Sequence, residues 1–189
     1  HEECVDFVFS GAHKLEELGA EYWSILFNTA AYKPITFLSD ADMERLIRHP
    51  IAQYNMEYDP LAAERIIKVT AGHPYFAELV LHEMVVLHNE SQRSYMTVMD
   101  VDNGLERIVE RGEAHFKFIW SESSEEERLV LQAIAELLVS TDAVNVKDMQ
   151  TFLTDCGYQS SDDWQQALLN LEGRDILKRP SAKSPMYRF

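Results

Sequence analysis

The sequence predicts a mainly α protein with two short strands near its start, a helical bundle in the middle and a winged helix-turn-helix order at its end. Three observations carry that expectation. Apolar residues recur at helical spacing through most of residues 39–171. A helix-closing glycine, Gly72, and a helix-opening proline, Pro74, stand two apart inside that stretch. Beyond residue 121, three helical patterns are followed by two short runs joined by a proline-bounded turn.

The first element expected is a strand over residues 5–9, Val-Asp-Phe-Val-Phe, which stops at Ser10-Gly11. A mostly apolar run that ends in this way fits a buried parallel strand. One strand leaves backbone groups unpaired. Its neighbours are therefore expected outside this chain, unless residues 35–38 pair with it. Residues 15–31 read as helix or loop-helix, anchored by Leu15, Leu18, Trp23, Leu26 and Phe27. Pro34-Ile35-Thr36-Phe37-Leu38 is the second strand candidate.

The helical bundle follows. Ser39-Asp40 caps a helix over 41–48, and Pro50 lies past its stop. Asp59-Pro60 opens a helix over 61–71, with Leu61, Ala62, Ile66 and Val69 as its apolar positions. Gly72 suits the left-handed conformation that closes a helix, and Pro74 begins an apolar helix running to about residue 88. Thr97 and Asp100 introduce another over 101–118.

The last part has its own logic. Residues 121–127 form an acidic linker that turns into a helix ending near Ser140, with Glu125, Glu126 and Glu127 favouring its N-terminus through the helix dipole. Asn145 caps a helix over 146–155 that ends at Cys156-Gly157. Ser160, Ser161, Asp162 and Asp163 cap a third over 164–171. Residues 176–179 and 186–189, joined by a turn over 180–185, are expected to form a two-stranded ribbon. The expected domains are 1–38, 39–120 and 121–189.

Composition narrows the function classes. The chain has 189 residues, 46% hydrophobic and 26% charged, an ordinary globular balance with a core of normal size. Its 32 acids against 17 bases give a net charge of −15, which repels nucleic acid and anionic membrane over most of the surface. Cys4 and Cys156 lie far apart without metal spacing and read as reduced thiols of a cytoplasmic protein. No apolar run approaches the roughly 20 residues of a membrane span, so no membrane partner is expected. The start at His1, directly before a strand-like run, reads as a piece of a longer protein. His82 and His88 are six apart, on different helix faces, so no metal site is expected. No serine or cysteine has a recognisable base, and catalytic residues are expected to be absent.

Three phrases in one order now matter: Phe9-Ser10-Gly11 at a strand end, Thr70-Ala71-Gly72-His73-Pro74-Tyr75 within an all-helical stretch, and the C-terminal winged-helix order. Together they resemble the C-terminal half of a STAND or archaeal-type AAA+ ATPase, similar also to origin-recognition-type ATPases. Tyr22-Trp23-Ser24-Ile25-Leu26-Phe27-Asn28 and Ile35-Thr36-Phe37-Leu38 resemble that family's fourth-to-fifth-strand stretch and fifth strand. The resemblance implies that residues 1–38 end an α/β core, 39–120 form the helical lid and 121–189 the winged helix. It implies that Gly72, His73 and Pro74 border bound nucleotide, with Pro74 beside adenine, and that Ser10 occupies the sensor position near the γ-phosphate.

The departure is equally plain. There is no Gly-x-x-x-x-Gly-Lys-[Ser/Thr] loop and no following strand ending in paired acids. By the resemblance those parts lie upstream, on the P-loop half of the same polypeptide. ATP or ADP with magnesium is then expected on the whole protein, and no cofactor on this chain alone.

Winged helices raise the question of DNA. Recognition helices carry bases or amides into the groove, whereas the third helix here begins with Asp162 and Asp163 and holds no Lys or Arg between 160 and 171. Lys178, Arg179, Lys183 and Arg188, with no acid from 178 to 189, form the one cluster that could hold DNA phosphates. Three functions stay open: a nucleotide-dependent switch with protein partners and room for homo-oligomers, a DNA-binding regulator, and an interaction module without nucleotide.

Overall fold

The computed structural model describes residues 36–111, 113–141, 143–158, 162–179 and 186–187, and single positions 8, 31 and 33. The chain divides into two compact units, His1–Ile35 and Thr36–Phe189. In the first unit, Val8 is exposed. The remaining residues of the expected strand at 5–9, Ser10, and nearly all of the expected helix over 15–31 lie outside the described residues.

The second unit is mainly helical, with eight helices and four two-residue strands among the described residues. Residues 36–38 are not in a strand, which corrects the expectation for 34–38. The Leu38 N–H donates instead to the Gly72 carbonyl at 2.7 Å. Helix α1 spans Asp40–Arg48, and the Ser39 hydroxyl accepts from the Asp42 N–H as the sequence foretells. Strand β1 (Glu57–Tyr58) comes next, then α2 (Pro60–Thr70), capped by Asp59 on the Leu61 N–H.

Helix α3 (Pro74–Ser91) runs three residues beyond its expected end and closes on Gln92 in the left-handed conformation. Strand β2 (Tyr95–Met96) pairs in parallel with β1, with Glu57 opposite Tyr95 and Tyr58 opposite Met96. Helix α4 (Val98–Arg111) starts three residues earlier than expected. The reason is reciprocal bonding across its first turn: Thr97 N–H and Oγ1 donate to the Asp100 carboxylate, and the Asp100 N–H returns to Thr97 Oγ1. Where one helix over 101–118 is expected, α4 gives way to a separate α5 (Glu113–Ser121). Met43, Ile47, Ile66, Met84, Met96 and Val101 are the fully buried heart of this first core.

The C-terminal part follows the expected helix order. Helix α6 (Glu125–Leu138) opens on a capping box between Ser124 and Glu127. Strand β3 (Val144–Asn145) leads into α7 (Val146–Asp155), where the Asn145 side-chain Oδ1 accepts the Asp148 N–H. Helix α8 (Asp162–Gly173) and strand β4 (Met186–Tyr187) complete the part. Strand β4 pairs antiparallel with β3, a strand the sequence pattern does not announce. Val144 and Tyr187 face each other in that pair, and both are buried in a second core with Val130, Ile134, Met149, Leu153 and Leu171.

The junction between the two cores is braced. Arg128 donates to the Trp120 and Ser121 carbonyls and lies over the Trp120 ring. Arg174 reaches back to the Glu127 carboxylate at 2.7 Å. Arg128 thereby holds the last turn of α5 and the first of α6 together, and Arg174 ties the end of α8 to α6.

Candidate functional site

The corner between α2 and α3 is built from backbone. Near the end of α2 the Thr70 hydroxyl donates to the Ile66 carbonyl and accepts the Gly72 N–H. Ala71 and Gly72 then take positive φ angles of 48° and 80° in succession. Two such residues reverse the chain within one step, and the His73 N–H closes the turn on the Thr70 carbonyl at 2.8 Å. Pro74 occupies the first turn of α3, where the absent N–H leaves nothing unpaired.

Glycine is required at 72 for two reasons. Its φ lies in the left-handed region, and a β-carbon there would sit 2.5 Å from the Leu38 carbonyl oxygen. The segment ending at Leu38 therefore runs against the corner with no space between the backbones.

Aromatic rings surround this backbone. The His73 ring meets Phe37 edge-on at 5.5 Å and Phe76 at 4.9 Å. Phe76 in turn meets Tyr75 at 5.4 Å and stacks on Phe116 of α5 at 5.8 Å, with the planes 6° apart. Tyr75 and Phe116 remain exposed, while His73, Pro74 and Phe76 are half-buried. Rigid backbone edged by flat rings suits contact with a planar, weakly polar ring.

One residue from the C-terminal part joins the corner. The Lys178 ammonium donates to the Ala71 carbonyl at 2.6 Å and lies 5.4 Å from the centre of the Phe37 ring. Gly72, His73, Pro74 and Lys178, four of the eight residues singled out from the sequence, thus come together, although Lys178 was singled out for phosphate. Arg179 is placed elsewhere. It pairs with Glu172 and lies over the Tyr187 ring, and the bond to Glu172 holds its guanidinium pKa above the ordinary value. Ser10, Lys183 and Arg188 lie outside the described residues.

No protein-family model, curated protein or solved structure matches this chain. The function therefore rests on the residues themselves.

Sequence reasoning missed Phe37 and Phe76 as parts of the corner. The available signal for Phe76 was its place two residues past Pro74. Nothing in the sequence pairs Lys178 with Ala71, more than a hundred residues away. Among the described residues, no three His, Cys, Asp or Glu stand together to hold a metal ion, and no helix is long and apolar enough to cross a membrane. The exposed face of α8 carries Asp163, Gln165, Gln166, Leu169 and Asn170, with Gln166 spent on Asn170. A shallow cleft of about 300 Å³ lies between α1 and α3, lined mostly by apolar residues such as Leu46, Ile47, Leu81 and Val85.

Proposed function

We propose that this chain is the lid and winged-helix portion of an ATP-binding STAND-type AAA+ ATPase, and that it acts as a nucleotide-dependent switch. One observation carries the reading. The corner at Gly72, which the resemblance places beside the nucleotide, is bonded through Gly72 O and Leu38 N–H to the segment that resembles the end of the family's α/β core. In this reading Gly72, His73 and Pro74 border the adenine, with Pro74 giving shape and apolar contact. Ser10 is, by the resemblance, the sensor residue for the γ-phosphate. The upstream P-loop half supplies the phosphate cradle and the magnesium ligand, so this chain alone neither binds nor hydrolyses ATP.

Nucleotide acts by contacting the corner differently in its two states, which is the requirement for any ligand-driven switch. The C-terminal part, whose order of α6, β3, α7, α8 and β4 agrees with a winged helix, reports that state to protein partners. A DNA role has less support, because Lys178 and Arg179 are both engaged within the chain.

The test is a fluorescent-ATP titration of the full natural polypeptide and of the 189-residue chain side by side. Binding by the full polypeptide, weakened by Pro74→Ala, together with none by the chain alone, is the expected result. Binding by neither overturns the reading.

A further inference from the structure

We infer that Lys178 is a latch that fastens the C-terminal part to the Gly72–Pro74 corner and sets how far the two move as one. The inference goes beyond the nucleotide reading and holds whether or not ATP binds there.

The Ala71 carbonyl is among the last of helix α2, where carbonyls lack intrahelical partners and carry the negative end of the helix dipole. Lys178 places a full positive charge on that carbonyl at 2.6 Å. The same ammonium lies over the Phe37 ring, a second contact that favours a cation. Both contacts depend on charge, and the side chain that makes them is half-buried. Phe37 is also the ring against the His73 edge, so the latch bears directly on the corner's aromatic wall.

The other attachment of the C-terminal part differs in kind. At the α5–α6 junction the chain is continuous, and Arg128 braces it through the Trp120 and Ser121 carbonyls. That junction acts as a hinge-side anchor. Lys178 lies at the other end of the part, after α8, and holds by a flexible four-carbon stem that can let go without breaking either core. Residue 177 just before it is buried in the second core and residue 71 borders the first, so releasing the ammonium frees one core edge from the other.

Hydrogen exchange on the full chain tests this with two variants. Lys178→Met keeps the stem and removes the charge, and Lys178→Arg keeps a cation with donors. The latch predicts that Lys178→Met speeds exchange at the amides of Leu38, Gly72 and His73 by about tenfold or more, the scale of one charge-assisted bond. The α6 core amides keep their wild-type rates, and Lys178→Arg stays within a few-fold of wild type. Unchanged rates at the corner in Lys178→Met overturn the latch. So does a uniform acceleration that includes α6, because that marks general destabilisation. No nucleotide enters the experiment, so its failure is separate from failure of the ATP reading.

Discussion

Two turns in this molecule each hold a glycine at positive φ after a helix and differ in everything around it. Gly72 follows α2 with φ 80°, and Gly157 follows α7 with φ 89°. A β-carbon at 72 would press on the Leu38 carbonyl at 2.5 Å, whereas at 157 it would meet nothing within 4 Å. The Gly72 turn is buried, crossed by another segment, edged by rings and capped by Lys178. The Gly157 turn is exposed and ends a helix, with its N–H on the Thr154 carbonyl. The same residue thus serves a junction in one place and a stop in the other. What separates the two is the surroundings, and those are tertiary.

The comparison is sharpest under substitution. Gly72→Ala carries both a left-handed φ and a clash with backbone that cannot swing away, and should cost about 3 kcal/mol or more in urea unfolding. A third turn, at Thr97 and Asp100, ranks next. Burial alone would raise the Asp100 pKa, yet the Thr97 N–H and hydroxyl and the Arg93 guanidinium together hold it below the usual 3.8. Replacing it by Asn should cost about 2 kcal/mol at neutral pH.

The sign of its pH dependence follows from that lowered pKa. Its contribution is complete above 3.8, the unfolded value, and is lost as pH falls through the lower folded value. Asp100→Asn should therefore flatten the acid limb of a pH–stability curve, and an unaltered limb would remove this account of the turn.

Gly157→Ala comes third, at about 1 kcal/mol, because it bears the φ penalty and no clash. If it proved as harmful as Gly72→Ala, crowding would not be what distinguishes the two turns. The smallest effect is expected at Tyr58, whose buried hydroxyl has no hydrogen-bond partner among the described residues. Tyr58→Phe removes a group that gains nothing from burial, so thermal melting should stay within about 1 kcal/mol of wild type or shift upward. Burial raises the Tyr58 pKa well above 10.0. The neutral phenol's contribution is complete below that value and is lost as pH rises above it, so Tyr58→Phe should also resist alkali better.

Much of the fold could be read in advance because it is written in local chemistry. Ser39, Asp59 and Asn145 all accept the N–H groups that cap residues accept. Gly72 and Pro74 mark their corner through constraints that belong to single residues. The parallel pair of β1 and β2 could not be read, because two residues carry no periodicity and the pairing spans helices α2 and α3. The same holds for β3, whose two residues merge with the cap of α7. The division between α4, which ends at Arg111, and α5, which begins at Glu113, did have a signal in the glycine at 112, which the reading of one helix over 101–118 passed over. In the site, Gly72, His73 and Pro74 were legible, and the arrival of Lys178 was not. A lysine among other bases looks like a phosphate contact until the fold brings a helix end to it.

The most direct measurement uses the two glycines as a matched pair. Fluorescent ATP would be titrated against the full natural polypeptide carrying Gly72→Ala, Pro74→Ala or Gly157→Ala, each first checked by circular dichroism for wild-type helix content. If the corner is a nucleotide contact, the changes at 72 and 74 weaken binding by about tenfold, one contact's worth, and the change at 157 leaves it alone. Equal affinities across all three folded variants would contradict the account.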